Sequence, residues 1–254
     1  ESCPTSRRIA VRNPSEFALY RALFQLAQPL SKDWAFNAAI GGAVSTEYEV
    51  APGITYGTSE SLVLVPAGFQ YWLNKHVSVQ SYLFMLDEID REFVIDGQEF
   101  DQPDQLEIRP VIGATLRTDI ASSVEIGALV RYETRFKDVT HDGSFENRFR
   151  LRPYIDFTFC ENKEAGTSWH NKYEIEPKYV IGEGGDYSFL NSVQARATIG
   201  YSFSRSLSLD LRYVHEWGRS DSGADWKDSF DSIFLQFTMI LGKEKPSKPM
   251  DIDD

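Results

Sequence analysis

Residues 148–159 read Arg148-Phe149-Arg150-Leu151-Arg152-Pro153-Tyr154-Ile155-Asp156-Phe157-Thr158-Phe159. Alternate positions hold Phe149, Leu151, Pro153, Ile155, Phe157 and Phe159, and the positions between them hold Arg148, Arg150, Arg152, Tyr154, Asp156 and Thr158. Successive side chains of a strand point to opposite faces, so one face of this ribbon is oil-soluble and the other ionic. A closed barrel in a bilayer supplies hydrocarbon on one side and a polar lumen on the other. The expected class is all-β: a closed, antiparallel, up-and-down transmembrane barrel.

The same alternation extends in both directions and divides the chain into strands near 17–30, 33–48, 61–74, 76–89, 105–118, 122–137, 147–159, 169–182, 191–204, 206–219 and 230–242. Most exceed the ~9–11 residues that a tilted strand needs to cross a membrane. Tight connections at 30–33, 74–76, 118–122 and 204–206 alternate with long polar ones at 46–60, 88–104, 138–146, 183–190 and 220–229. Outer-membrane barrels have this asymmetry, with the short turns periplasmic. Only the 161–168 connection is long where a short one is expected.

Parity adds one more expectation. The strand at 17–30 ends in a short turn, so another strand should precede it, and Arg7–Arg12, with Ile9 and Val11 opposed to Arg8 and Arg12, fits. That gives about twelve strands; if residues 1–16 are instead an arm, about ten remain. Residues 1–242 read as a single barrel and 243–254 as a polar periplasmic tail. Four prolines, Pro66, Pro110, Pro153 and Pro177, fall inside strands and require bulges or breaks in the ladders.

Composition is compatible with this reading. A mean hydropathy of -0.35 suits a barrel in which half of every strand faces a polar lumen. The opening Glu1-Ser2-Cys3-Pro4 has no basic-then-apolar leader, so any export signal is expected to have been removed. The formal charge of -12 gathers in the connections, which argues against nucleic acid as a partner and for an acidic, cation-attracting rim.

The inner face is where chemistry is expected. Arg109, Arg131, Arg148, Arg150, Arg152, Lys172, Glu174, Arg196, Asp210 and Arg212 should line the lumen. Arg148, Arg150 and Arg152 exceed the local carboxylates and would form a constriction. The first expectation is a porin-like channel passing small anionic or saccharide solutes. The alternative is a barrel closed by its own charges that acts through its acidic loops or tail in an envelope complex. No metal site, phosphate loop or cofactor fingerprint is present, so no cofactor and no enzymatic activity are expected. Cys3 and Cys160 are the only cysteines, and an oxidising periplasm would permit a disulfide between them.

Two resemblances sharpen these expectations. The style of Tyr173-Glu174-Ile175-Glu176-Pro177 and Leu209-Asp210-Leu211-Arg212-Tyr213-Val214-His215-Glu216 resembles the small oligosaccharide porins of the oligogalacturonate-channel type. That resemblance implies a bacterial outer-membrane location and a monomeric twelve-stranded barrel with Arg-lined walls for acidic sugars. His76-Val77-Ser78 is similar to the catalytic pair of the outer-membrane phospholipase and lipid A deacylase families, which implies a third option, a lipid hydrolase.

Overall fold

The computed structural model describes residues 18–45, 48–51, 54–56, 60–89, 91–95, 98–102, 105–137, 144–162, 164–181, 190–219 and 226–241. In chain order its strands are β1 (Ala18–Pro29), β2 (Trp34–Ser45), β3 (Tyr48–Ala51), β4 (Ile54–Tyr56), β5 (Glu60–Asn74), β6 (Val77–Ile89), β7 (Arg91–Ile95), β8 (Gln98–Gln102), β9 (Gln105–Ala121), β10 (Val124–Lys137), β11 (Ser144–Asn162), β12 (Thr167–Ile181), β13 (Leu190–Ser204), β14 (Leu207–Arg219) and β15 (Trp226–Ile240).

Eleven of these close into a barrel in the order β1-β15-β14-β13-β12-β11-β10-β9-β6-β5-β2. They are the strands that alternation marks out, each within a few residues of its expected bounds. Neighbours pair antiparallel except at the closing seam, where β1 and β15 run parallel from Ala18–Asp231 to Ala27–Ile240. Both strands run from the long-loop end toward the short-turn end, so an odd number of strands can close only with one parallel pair. The expected extra strand at Arg7–Arg12 lies outside the described residues.

Two of the long connections are themselves folded. Strands β3 and β4 from the first, and β7 and β8 from the second, form a sheet in the order β3-β4-β7-β8, joined across the connections by Ile54–Ile95, Thr55–Val94 and Tyr56–Phe93. The 161–168 connection resolves the other way. Strands β11 and β12 extend toward each other to a tight turn, with Asn162 Oδ1 accepting the N–H groups of Glu164 and Ala165 at 3.1 Å. Gly166, at φ 71°, supplies the left-handed residue that closes it.

The barrel is apolar outside and polar inside. Exposed hydrophobic side chains include Tyr20, Phe24, Ile112, Tyr132, Tyr173, Ile175, Ile199, Leu211, Ile233 and Leu235, while Arg131, Glu133, Arg150, Arg152 and Glu176 are among the most deeply buried residues. In water this arrangement would expose the wrong face of every strand; in a bilayer it buries both correctly. Aromatic cross-strand pairs gather near the short turns, with ring centroids 4.7 Å apart for Trp34–Tyr71 and for Trp169–Tyr201. Phe149–Tyr179, at 6.1 Å, lies toward the long loops, so aromatic pairs occur toward both ends of the barrel.

On one side the lumen is packed with apolar groups rather than ions. Tyr82, Phe84 and Val111 from β6 and β9 cluster with Ala39 of β2, with Leu23 and Leu86 against them. The small inner face of β2 (Ala35, Asn37, Ala39, Gly41, Ala43) provides the room. A Cβ on Gly41 would lie 2.3 Å from the Ala22 carbonyl oxygen, so this position tolerates no larger side chain without a shift of backbone.

Candidate functional site

All ten expected lumen residues face inward, and the structure sorts them into three levels. Near the long-loop mouth, Arg109 and Arg135 share Glu107, at 2.6 Å and 2.7 Å, and Arg148 pairs with Glu146. Below them lies a dense ionic layer. Arg131 reaches Glu133 at 2.6 Å, Arg150 spans Glu133 at 3.0 Å and Glu176, and Arg152 also pairs with Glu176, which Arg196 approaches at 3.4 Å. Tyr82 accepts a further hydrogen bond from Arg131 at 2.8 Å. Lys172–Glu174, at 2.7 Å, and Lys178–Glu216, at 3.2 Å, flank this layer.

The layer is dry. Arg131, Glu133, Arg150 and Arg152 are 1% exposed and Glu176 is 0% exposed. Walls of a water-filled pore would remain accessible, so the described lumen is occluded at this level. The surplus of guanidiniums expected along Arg148, Arg150 and Arg152 does not survive folding, because Glu133 and Glu176 arrive from the flanking strands β10 and β12. Both β11 neighbours contribute carboxylates, which a count along β11 alone omits.

The third level, toward the short turns, is a cavity of about 390 Å³. Hydroxyl and amide side chains dominate its wall, among them Gln25, Gln70, Ser78, Thr198, Gln236 and Thr238, with Lys172, Arg212, Asp156, His170 and Asp210 between them. His170 Nε2 lies 3.4 Å from Asp210 Oδ1 along the inner wall. The residue between them in register is Gly200 of β13, where a Cβ would fall 2.1 Å from His170 Cε1 and 2.2 Å from Asp210 Oδ1. The glycine therefore makes the space that lets two side chains from non-adjacent strands meet.

His76 is exposed in the turn before β6 while Ser78 lies on the inner face, and no contact joins them among the described residues. His76 Nδ1 lies 3.0 Å from the Arg117 carbonyl oxygen, and Ser78 accepts from Gln70 Nε2 at 3.1 Å. Ser78 is buried in the lumen, away from any lipid. Cys160 is exposed beside the turn after β11, while Cys3 and the 243–254 tail lie outside the described residues.

A second constellation, on the outer surface, escapes sequence inspection. His215 Nδ1 lies 2.7 Å from Asp231 Oδ1, and Tyr213 donates its hydroxyl to the same oxygen at 2.6 Å. His215 also meets Trp217 edge-on, with ring centroids 4.3 Å apart. These residues stand just beyond the apolar rows ending at Leu211 and Ile233, on the long-loop side. Each strand supplies only half of the pair, and the His215–Asp231 register joins them. The signal present in the sequence is the outward parity that His215 shares with Tyr213, and Asp231 with Ile233.

The family model described as "Protein of unknown function (DUF2490)" matches residues 22–228, and the chain belongs to that family. No curated protein matches the chain. Among solved structures, LpxR from Salmonella typhimurium is similar in fold, with a TM-score of 0.51 and 9% sequence identity over 85% of this chain and 87% of that one. This likeness corrects one expectation drawn from the sequence. LpxR is an outer-membrane lipid A deacylase, so a barrel of this fold carries an enzyme, and the lack of a recognisable motif gives no ground for excluding enzymatic activity.

Proposed function

We propose that this DUF2490 barrel resides in the bacterial outer membrane and hydrolyses an acyl ester of an outer-leaflet lipid. The observation that carries this reading is the His215–Asp231 hydrogen bond of 2.7 Å on the lipid-facing surface. An imidazole whose Nδ1 is held by a carboxylate is the arrangement that orients a general base. The short-turn convention puts the pair at the level of the outer-leaflet head groups, where acyl esters lie. The fold shared with LpxR adds support, since that protein works on lipid A from the same kind of barrel.

In the proposed step the imidazole accepts a proton from water as the water oxygen attacks the ester carbonyl. The tetrahedral intermediate then collapses, the ester C–O bond breaks, and the departing alkoxide takes the proton back from the imidazolium. A fatty acid and a deacylated lipid result. Asp231 keeps the ring in place and stabilises its protonated form, and the Tyr213 hydroxyl fixes the carboxylate. The dry ionic layer supports this reading over passive conduction, because solutes would have to cross buried, paired charges.

Mass spectrometry of lipids from cells expressing the wild type, His215→Ala or Asp231→Asn tests the proposal. Deacylated lipid should accumulate with the wild type and fall about 100-fold or more in the variants, the usual effect of removing a general base. Identical lipid profiles in all three would overturn it.

A further inference from the structure

We infer that the short-turn-side cavity is a binding site for a small uncharged polyhydroxylated molecule, a sugar or polyol entering from the periplasm. This inference is independent of the lipid chemistry above, since cavity and outer pair lie on opposite faces of the barrel wall. Residues of the turn between β13 and β14 (Ser204, Arg205 and Ser206) border the cavity at its short-turn end. A volume of about 390 Å³ lies within the ~300–1,000 Å³ of small-molecule pockets.

The wall chemistry selects the ligand class. The wall carries Arg117, Lys172, Arg205 and Arg212 together with Asp156, Glu161 and Asp210, so its charges largely offset one another and favour a ligand without net charge. Hydroxyl groups both donate and accept, and they match a wall rich in hydroxyls and carboxamides. A buried acceptor also calls for a donor: Gln70 is 4% exposed, and its Oε1 has no hydrogen-bond partner among the described residues. Gly200 contributes by leaving room for the His170–Asp210 pair, which presents polar atoms to the cavity where a larger residue would fill it.

Saturation-transfer NMR on the full chain in detergent micelles, with glucose and maltose as probes at about 50 mM, suits millimolar affinity. Transfer to at least one sugar is expected, with binding weakened about tenfold in Gln70→Leu, which removes the buried acceptor. Gly200→Ala, which displaces the His170–Asp210 pair, should weaken it similarly. Both variants should keep the heat-dependent gel shift of a folded barrel, and a variant that loses it is replaced by Thr198→Val. The inference is overturned by no transfer to either sugar, by transfer undiminished in the folded variants, or by glutamate or lysine binding in preference to the sugars.

Discussion

Pro153 of β11 and Pro177 of β12 fall within the same interruption of one ladder. The β11–β12 pairing runs to Arg150–Lys178 and resumes at Tyr154–Glu174, and both prolines lie in the interval. Each lacks an N–H to donate, and one shared interruption accommodates both losses. Within that interval Arg152 and Glu176 pair on the lumen side, so an ion pair spans the seam where the ladder pauses. Pro66 is handled differently, at a bulge where the register shifts between Leu64 and Ala67.

This arrangement predicts an asymmetry between neighbouring positions. Pro153→Ala should change stability by no more than about 1 kcal/mol, because no ladder bond is regained or lost. Ile155→Pro, two residues on and paired with both Ile126 and Tyr173, should cost about 3 kcal/mol or more. Urea titration of folding into micelles measures both; equal costs would contradict the shared interruption.

Glu176 is the keystone of the ionic layer. Glu176→Gln leaves Arg150, Arg152 and Arg196 without their common carboxylate at 1% exposure or little more. Breaking a buried pair by removing one partner costs about 3–5 kcal/mol. The same substitution at Glu146, which is more exposed and nearer the mouth, should cost less than half as much. Thermal unfolding in detergent compares the two.

Conductance tests the occlusion itself. The wild-type barrel in planar bilayers should give no stepwise ion current, since the buried layer offers no hydrated path. Shortening Arg131, Arg150 and Arg152 to serine together should open one and produce discrete steps. Steady wild-type current that responds to Arg150→Ser alone would restore the channel expectation.

How much of this was legible beforehand depends on which residues had to know about each other. The eleven barrel strands follow from alternation within each strand, so β13 and β14 emerge directly from Val193-to-Phe203 and Leu207-to-Tyr213. Pairings between strands do not. Glu176 neutralises Arg150 from another strand, His215 finds Asp231 through register, and Gly200 matters only because His170 and Asp210 flank it. The short strands β4 and β7 read as parts of long polar loops because their partners lie in a different loop. The parallel seam depends on closure, a property of the whole ring.

That seam makes its own prediction. Ala22 and Leu235 are register partners with both side chains outward. Cysteines placed at both, with Cys3 and Cys160 changed to serine, should form a disulfide on mild oxidation, since neighbouring strands lie about 4.8 Å apart. If Leu235→Cys instead cross-links to a cysteine at Ile9 or Val11, a twelfth strand occupies the seam.

The apolar row of each strand touches lipid, and spin labels placed singly at residues 232–237 of β15 in reconstituted vesicles test this most directly. Labels at Ile233, Leu235 and Phe237 should collide freely with oxygen and hardly with a water-soluble nickel chelate, while those at Ser232, Phe234 and Gln236 should be shielded from oxygen. Chelate access at Ile233 and Leu235, or loss of the two-residue period, would contradict the membrane barrel and every functional reading built on it.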